Sequence, residues 1–221
     1  MGPDPRTSPA RVYGGQVRTL AIDCATAACS VALFEGDRLL AGDWRELGRG
    51  HAEQLVPMVS ALPDRGKAER ILVARGPGSF TGVRIGIAAA RAFGLAWQAE
   101  VLAYPTLALV AAMARKREGA RDVAVAMTGG HGEWFVQSFG SNGEALGELA
   151  SLVPAQAAEA ASPALVAGTQ AQALVQQRGH GTALDILPDA REALLLAEDQ
   201  FTADLSPLYG RAPDAKLPQA R

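Results

Sequence analysis

The chain has two cysteines, three histidines and few aromatics, and no lysine follows its most glycine-rich segment. Cys24 and Cys29 are too few for a disulfide framework. A structural zinc needs about four ligands, whereas His51, His131 and His180 are scattered. Both thiols are therefore expected to be reduced and structural, with the cytosol as the natural compartment. No apolar run reaches about 18 residues, so nothing is expected to span a membrane. Excess charge of one sign is also missing: 21 Lys and Arg face 23 Asp and Glu, a net charge of −2. A self-sufficient nucleic-acid binder normally shows a basic face, so any contact with RNA is expected to run through partners.

What is present is a chain of 221 residues, 48% hydrophobic and 20% charged, enough for one large domain or two small ones. Residues 1–16 are rich in Pro, Gly and Arg and lack an apolar core. They are read as a disordered extension or a start-site artefact, outside the fold.

The chain is organised around Arg75-Gly-Pro-Gly-Ser-Phe-Thr-Gly-Val-Arg-Ile-Gly86. A buried strand, Arg70 to Ala74, enters this loop and a helix leaves it. Gly76, Gly78 and Gly82 permit positive φ or close approach, Pro77 fixes one φ, and Ser79 or Thr81 can cap the helix. Free N–H groups would make the loop a possible anion cradle. The known phosphate fingerprints do not fit, however: the run reads G-x-G-x-x-x-G, and the P-loop lysine is missing.

Gly82, Gly86, Ala90 and Gly94 recur every fourth residue and share one stripe of the helix. Each interior glycine costs about 1 kcal/mol relative to alanine, so a close contact must compensate. Either the helix packs on its own sheet, or the stripe, or the face beside it, docks a helix from another subunit. On the second reading Gly86→Leu would cost subunit association and leave the monomer folded.

Taken in order, strands are expected at Thr19–Asp23, Ser30–Phe34 and Arg38–Trp44, then a helix over Gly50–Leu62 interrupted by Pro57. His51 stands in its first turn, more naturally a solvated or capping side chain than a catalyst. Asp23 ends an apolar strand; such a carboxylate either holds a metal with phosphate or caps the turn containing Thr26. After the glycine loop come a helix from Val83 to Gln98, a strand at Val101–Ala103, and a helix capped by Thr106 that ends near Arg117. Strand-turn-strand then recurs at Asp122–Thr128 and Glu133–Phe139, about a hundred residues after its first appearance, which indicates a duplicated unit. Helices at Pro154–Ala161, Gln170–Arg178 and Asp189–Ala203 and strands at Ala164–Ala167 and Leu184–Leu187 complete it, followed by an extended tail. The division is an N-terminal sub-domain at 17–118 and a C-terminal one at 119–221.

Leu20-Ala-Ile-Asp-Cys-Ala-Thr-Ala-Ala-Cys-Ser-Val-Ala-Leu33, His51-Ala-Glu-Gln-Leu-Val-Pro-Met58, the glycine loop and Pro207-Leu-Tyr-Gly-Arg-Ala-Pro-Asp-Ala-Lys216 together resemble the TsaB (YeaZ) family. The resemblance implies a duplicated α/β fold, ribonuclease-H-like in the manner of actin, sugar kinases and the Hsp70 ATPase (ASKHA). It also implies a non-catalytic cytoplasmic subunit with no catalytic or metal site and no cofactor of its own. Such a subunit pairs with TsaD, which transfers threonylcarbamoyl to adenosine 37 of tRNAs reading ANN codons; TsaE joins that complex, which uses ATP, magnesium and threonylcarbamoyl-adenylate. A homodimer is implied when TsaD is absent, with contact to tRNA only indirect.

The family's helical interface maps onto His51, Leu55, Met58, Val83, Gly86, Ala90 and Gly94. The glycine loop maps onto Gly76, Pro77, Gly78, Ser79, Thr81 and Gly82, and a nucleotide or metal remnant onto Asp23 and Thr26. The chain departs from the pattern at Thr128-Gly-Gly-His131, where Asp-Ala-Arg is usual, at a shortened Pro63–Glu69, and at Gly210 in place of leucine. A rival reading is a stand-alone ATPase or small-molecule kinase, with Asp23 on magnesium and the glycine loop on phosphate.

Overall fold

The computed structural model describes residues 17–210. The expected extension at 1–16 and the end of the tail signature, from Arg211 on, lie outside the described residues. The first sub-domain runs β1 (Arg18–Asp23), β2 (Ala28–Glu35), β3 (Arg38–Glu46), α1 (His51–Ser60), β4 (Arg70–Ala74), α2 (Phe80–Trp97), β5 (Glu100–Tyr104) and α3 (Thr106–Glu118). The second runs β6 (Val123–Thr128), β7 (Trp134–Phe139), β8 (Ala150–Leu152), α4 (Pro154–Ala160), β9 (Leu165–Ala167), α5 (Ala171–Arg178) and β10 (Thr182–Leu184).

Each sub-domain holds one five-stranded sheet, ordered β3-β2-β1-β4-β5 and β8-β7-β6-β9-β10. In both, a three-stranded antiparallel meander is extended by parallel strands reached through helices. Matching the two units position by position gives the duplicated ribonuclease-H-like fold. Parallel strands covered on both faces must be apolar throughout, and β1, β4 and β6 read as unbroken buried runs of Leu, Ile, Val and Ala.

Helix α3 is buried from Thr106 to Ala114 and packs on β6, β7 and β9 of the second sheet. Its alanines let it lie close to its neighbours. Pro105, not Thr106, occupies its N-cap, and the buried Thr106 hydroxyl has no hydrogen-bond partner among the described residues. The expected capping role of Thr106 is thus corrected by one residue, because Pro105 itself takes the extended conformation of a cap.

The largest correction falls on Asp189–Ala203, where a single helix was expected. The chain instead makes two short 3-10 turns, Ala190–Leu195 and Glu198–Gln200, with extended backbone at Leu196 and Ala197 between them. The cause is tertiary: the segment leaves the second sheet and returns to the first, where its first turn packs on β1, β2, β3 and α3. There Ala190 N–H donates to the Ser30 hydroxyl at 2.9 Å, and the Trp44 indole donates to Pro188 carbonyl at 3.2 Å. The tail continues along the edge of β5 through paired bonds between Ala103 and Thr202. A division at residue 118 therefore separates the two sheets but not the tail, which closes over the first one. The short β8 was not expected from sequence; three half-buried residues carry too little alternation to register.

Among the described residues, no helix is long and apolar enough to cross a membrane.

Candidate functional site

The glycine loop is built around the turn after β1. Gly76 takes φ +90°. A Cβ on Gly78 would run into the Ala25 carbonyl, and one on Gly82 into the Cys24 carbonyl. The glycines thus let the loop lie flat against backbone. Ser79 is the cap, its hydroxyl accepting from Gly82 N–H at 3.2 Å, and α2 accordingly starts at Phe80, three residues before the expected Val83.

This geometry uses up donors that an anion would need. Ser79 N–H donates to Ala25 carbonyl at 2.7 Å, Val83 N–H to Ser79 carbonyl at 2.9 Å, and Gly82 N–H to the Ser79 side chain. Those three N–H groups are spent inside the protein, which counts against the anion-cradle reading of Gly76, Pro77, Gly78, Ser79, Thr81 and Gly82, and Thr81 is exposed on the outer side of the loop.

Asp23 is sealed. It is 1% exposed, accepts from Ala25 N–H at 2.9 Å, and meets the Tyr104 hydroxyl at 3.3 Å. Burial pushes its carboxyl up to about 7 against the lowering effect of those hydrogen bonds. A carboxylate for magnesium must face the ligand; this one faces protein. The Thr26 hydroxyl accepts from Ala28 N–H at 3.2 Å, the turn-closing role of such a residue. The expected nucleotide or metal remnant at Asp23 and Thr26 thus reduces to a capped turn.

The expected interface set also points inward. His51 is buried, and its Nε2 donates toward the carbonyls of Thr26 at 2.9 Å and Ala28 at 3.2 Å, strapping α1 to the β1–β2 turn. Leu55, Met58, Val83 and Ala90 belong to the core. Where a Cβ would sit on Gly86, Val73 and Cys24 already lie at 3.5 and 3.6 Å, and on Gly94 it would meet Val101. The stripe of small residues therefore packs on its own sheet, and the docking reading of these residues is corrected. What α1 and α2 turn outward is a different set: Ala52, Val56, Ala88, Ala92, Leu95 and Ala96 are exposed, Leu95 at 85% and Val56 at 50%. The two helices pack against each other, so their outer faces adjoin.

Between the two sub-domains lies a cleft of about 850 Å³. The β1–β2 turn, the glycine loop and the start of α2 form one wall; Thr128, Gly129, Gly130, His131 and Glu133 form the other; Pro207–Gly210 of the tail cross its mouth. Arg84 is held at the rim, donating to the Tyr209 hydroxyl at 2.6 Å and lying 3.3 Å over the Phe80 ring. Glu133 accepts from the Ser151 hydroxyl at 2.7 Å. Thr128 is tied to Thr169 and Gln170. No lysine lines the cleft. The position where a kinase would carry its second acid holds Thr128, bonded within the protein. The Ser151 hydroxyl faces a carboxylate and, among the described residues, bonds to no histidine. Arg84, Phe80 and Tyr209 were missed by sequence reasoning, since Tyr209 reaches Arg84 only through the returning tail.

Set beside known proteins, the fold extends over whole relatives. The structure described as similar to peptidase YeaZ from Pseudomonas aeruginosa is 33% identical, covers 88% of this chain and 100% of its own, and superposes with a TM-score of 0.76. A second, YeaZ from the same organism, is 34% identical over 87% of this chain and 99% of its own, with a TM-score of 0.74. The chain belongs to the TsaB (YeaZ) family. TsaB of Escherichia coli (strain K12), named a tRNA threonylcarbamoyladenosine biosynthesis protein, is 37% identical over 124 residues, 54% of this chain and 53% of its own length. TsaB of Bacillus subtilis (strain 168) is 36% identical over 107 residues, 45% of this chain and 46% of its own. The matched part thus spans about half the length of these curated relatives. Residues 45–187 match the family model of TsaD, tRNA N6-adenosine threonylcarbamoyltransferase, which places this chain within that wider family. Thr128, Gly129 and Gly130, where the resemblance led to an expected Asp-Ala-Arg, line the wall of the cleft.

Proposed function

We propose that this TsaB-family chain is the non-catalytic partner subunit of the complex that makes threonylcarbamoyladenosine in tRNA. It pairs with TsaD, which transfers threonylcarbamoyl to adenosine 37 of ANN-decoding tRNAs. The observation that carries the reading is the match to YeaZ structures over their whole length at 33% and 34% identity. The site chemistry is consistent with it: Asp23 is sealed, the N–H groups of Ser79, Gly82 and Val83 donate within the protein, and no lysine lines the cleft.

In this reading the protein works in the cytoplasm and brings no cofactor of its own. ATP, magnesium and threonylcarbamoyl-adenylate belong to the complex, TsaE joins through it, and tRNA touches this subunit only indirectly. The docking face is the outer surface of α1 and α2, where Val56 and Leu95 stand in solvent, and the same face supports a homodimer when TsaD is absent.

Light-scattering chromatography of the chain, alone and mixed with TsaD of the same organism, tests this directly. A stable mixed complex, together with tRNA modification that requires both proteins, is the expected result. Modification by this chain without TsaD, or no association with it, would overturn the reading.

A further inference from the structure

Cys24 and Cys29 take no part in the function proposed above. The β1–β2 register ends with Asp23 opposite Ser30, so one step further Cys24 stands opposite Cys29. At the other end, Gly36 N–H donates to Val17 carbonyl at 3.0 Å, which marks a hydrogen-bonded pair. Alternation from there leaves Cys24 and Cys29 at a non-hydrogen-bonded pair, where facing side chains stand nearest. Their sulfurs lie 3.5 Å apart, both free and both buried. A disulfide needs about 2.05 Å, so closure asks for about 1.5 Å of relative movement, within reach of small χ1 and backbone shifts.

We infer that Cys24 and Cys29 are a redox-modification site, closing to a reversible intramolecular disulfide when the chain meets a small two-electron oxidant of the peroxide class. The Cys29 thiolate attacks one oxygen of hydrogen peroxide; the O–O bond breaks, and the departing hydroxide takes a proton and leaves as water. Cys29 is then a sulfenic acid. Cys24 attacks that sulfur, the S–O bond breaks, and a second water leaves with the Cys24 proton. The two thiols lose two electrons, which reduce the peroxide to two waters.

The order of attack follows from the contact between them. Either thiol can donate across the 3.5 Å contact; with Cys24 as the donor, the bond lowers the Cys29 pKa and raises that of Cys24. Both sulfurs are buried; Ala25, Thr26 and Ala27, which directly follow Cys24, line the cleft wall, so the cleft is the side from which peroxide, about the size of water, would approach the pair. The same backbone seats α2: Gly82 lies against the Cys24 carbonyl and Ser79 N–H holds the Ala25 carbonyl. Drawing Cys24 toward β2 therefore shifts the support of the helix that borders the cleft.

The test is mass spectrometry of the folded, full-length chain after exposure to a few-fold excess of hydrogen peroxide, with alkylation by N-ethylmaleimide after unfolding. Trypsin places both thiols on one peptide, Thr19 to Arg38. The expected product is that peptide lacking two hydrogens and taking no label, with both labels regained after dithiothreitol. In Cys24→Ala, or Cys24→Ser should the first fold poorly, the sulfenic acid of Cys29 has no resolving partner and should be trapped by dimedone. Full double labelling of the peroxide-treated wild-type chain, disulfides only between chains, or sulfinic acid without the internal disulfide would each overturn the assignment.

Discussion

The Asp23 carboxyl and the Tyr104 hydroxyl meet at 3.3 Å inside the first sub-domain, with Asp23 1% and Tyr104 0% exposed. The contact joins the end of β1 to the end of β5 across β4. Desolvation dominates there, raising the Asp23 pKa from 3.8 to about 7 and that of Tyr104 well above its usual value.

The pH dependence follows from that direction. A carboxyl with a raised folded-state pKa binds its proton more tightly when folded, so its contribution is full below the unfolded value of 3.8 and is lost as pH rises through about 7. In Asp23→Asn the amide oxygen can keep the Ala25 N–H bond, and Tyr104 still donates to the Ile22 carbonyl at 3.2 Å. The variant should therefore gain on the wild type between pH 4 and pH 8, by on the order of a few kcal/mol. Urea unfolding across that range measures it, and a difference that does not change with pH would contradict the burial argument.

The glycines of the loop and of the helix should separate sharply. Gly78→Ala and Gly82→Ala press a Cβ onto the carbonyls of Ala25 and Cys24, which cannot yield as a flexible side chain does, and each should cost about 2 kcal/mol or more. Gly86→Ala meets only ordinary contacts at 3.5 and 3.6 Å and relieves a helix glycine, so it should stay within about 1 kcal/mol of wild type. Gly86→Leu drives a branched chain into Val73 and Ile22 and should destabilise the monomer itself, in place of the clean association defect that an outward stripe would produce. Thermal and urea unfolding of the four variants would decide.

Association should respond to the outer helix face instead. Leu95→Arg and Val56→Arg alter side chains that are 85% and 50% exposed, so stability should move by no more than about 0.5 kcal/mol. Burying a guanidinium in a helix-on-helix contact is costly, and association with TsaD or with a second copy should weaken at least about tenfold. Light scattering reads this out, and unchanged association in both variants would remove α1 and α2 from the interface.

Much of the local structure was legible because its signals lie within a few residues. The strand Arg70–Ala74 is an unbroken apolar run bounded by a glycine turn, and it appears with those limits. The recurrence of strand-turn-strand at Val123–Phe139 announced a duplication that the two matching sheets carry through. The glycine spacing in α2 was also plain, but spacing says only that small residues share a stripe. It cannot say whether a sheet of the same chain or a helix of another approaches them, and His51, Leu55 and Met58 carried the same ambiguity.

By itself the sequence determined the strand and helix periods, the duplicated unit, the lack of membrane-length apolar runs and the family motif, since each depends on the order of neighbouring residues. Tertiary structure alone decided that Asp23 is sealed, that the small-residue stripe faces inward, that residues 190–200 form short turns, and that Tyr209 meets Arg84 over the cleft. Those outcomes hang on which distant surfaces fold back against each other. Burial, desolvation and the spending of hydrogen-bond donors follow from that closure and not from local pattern.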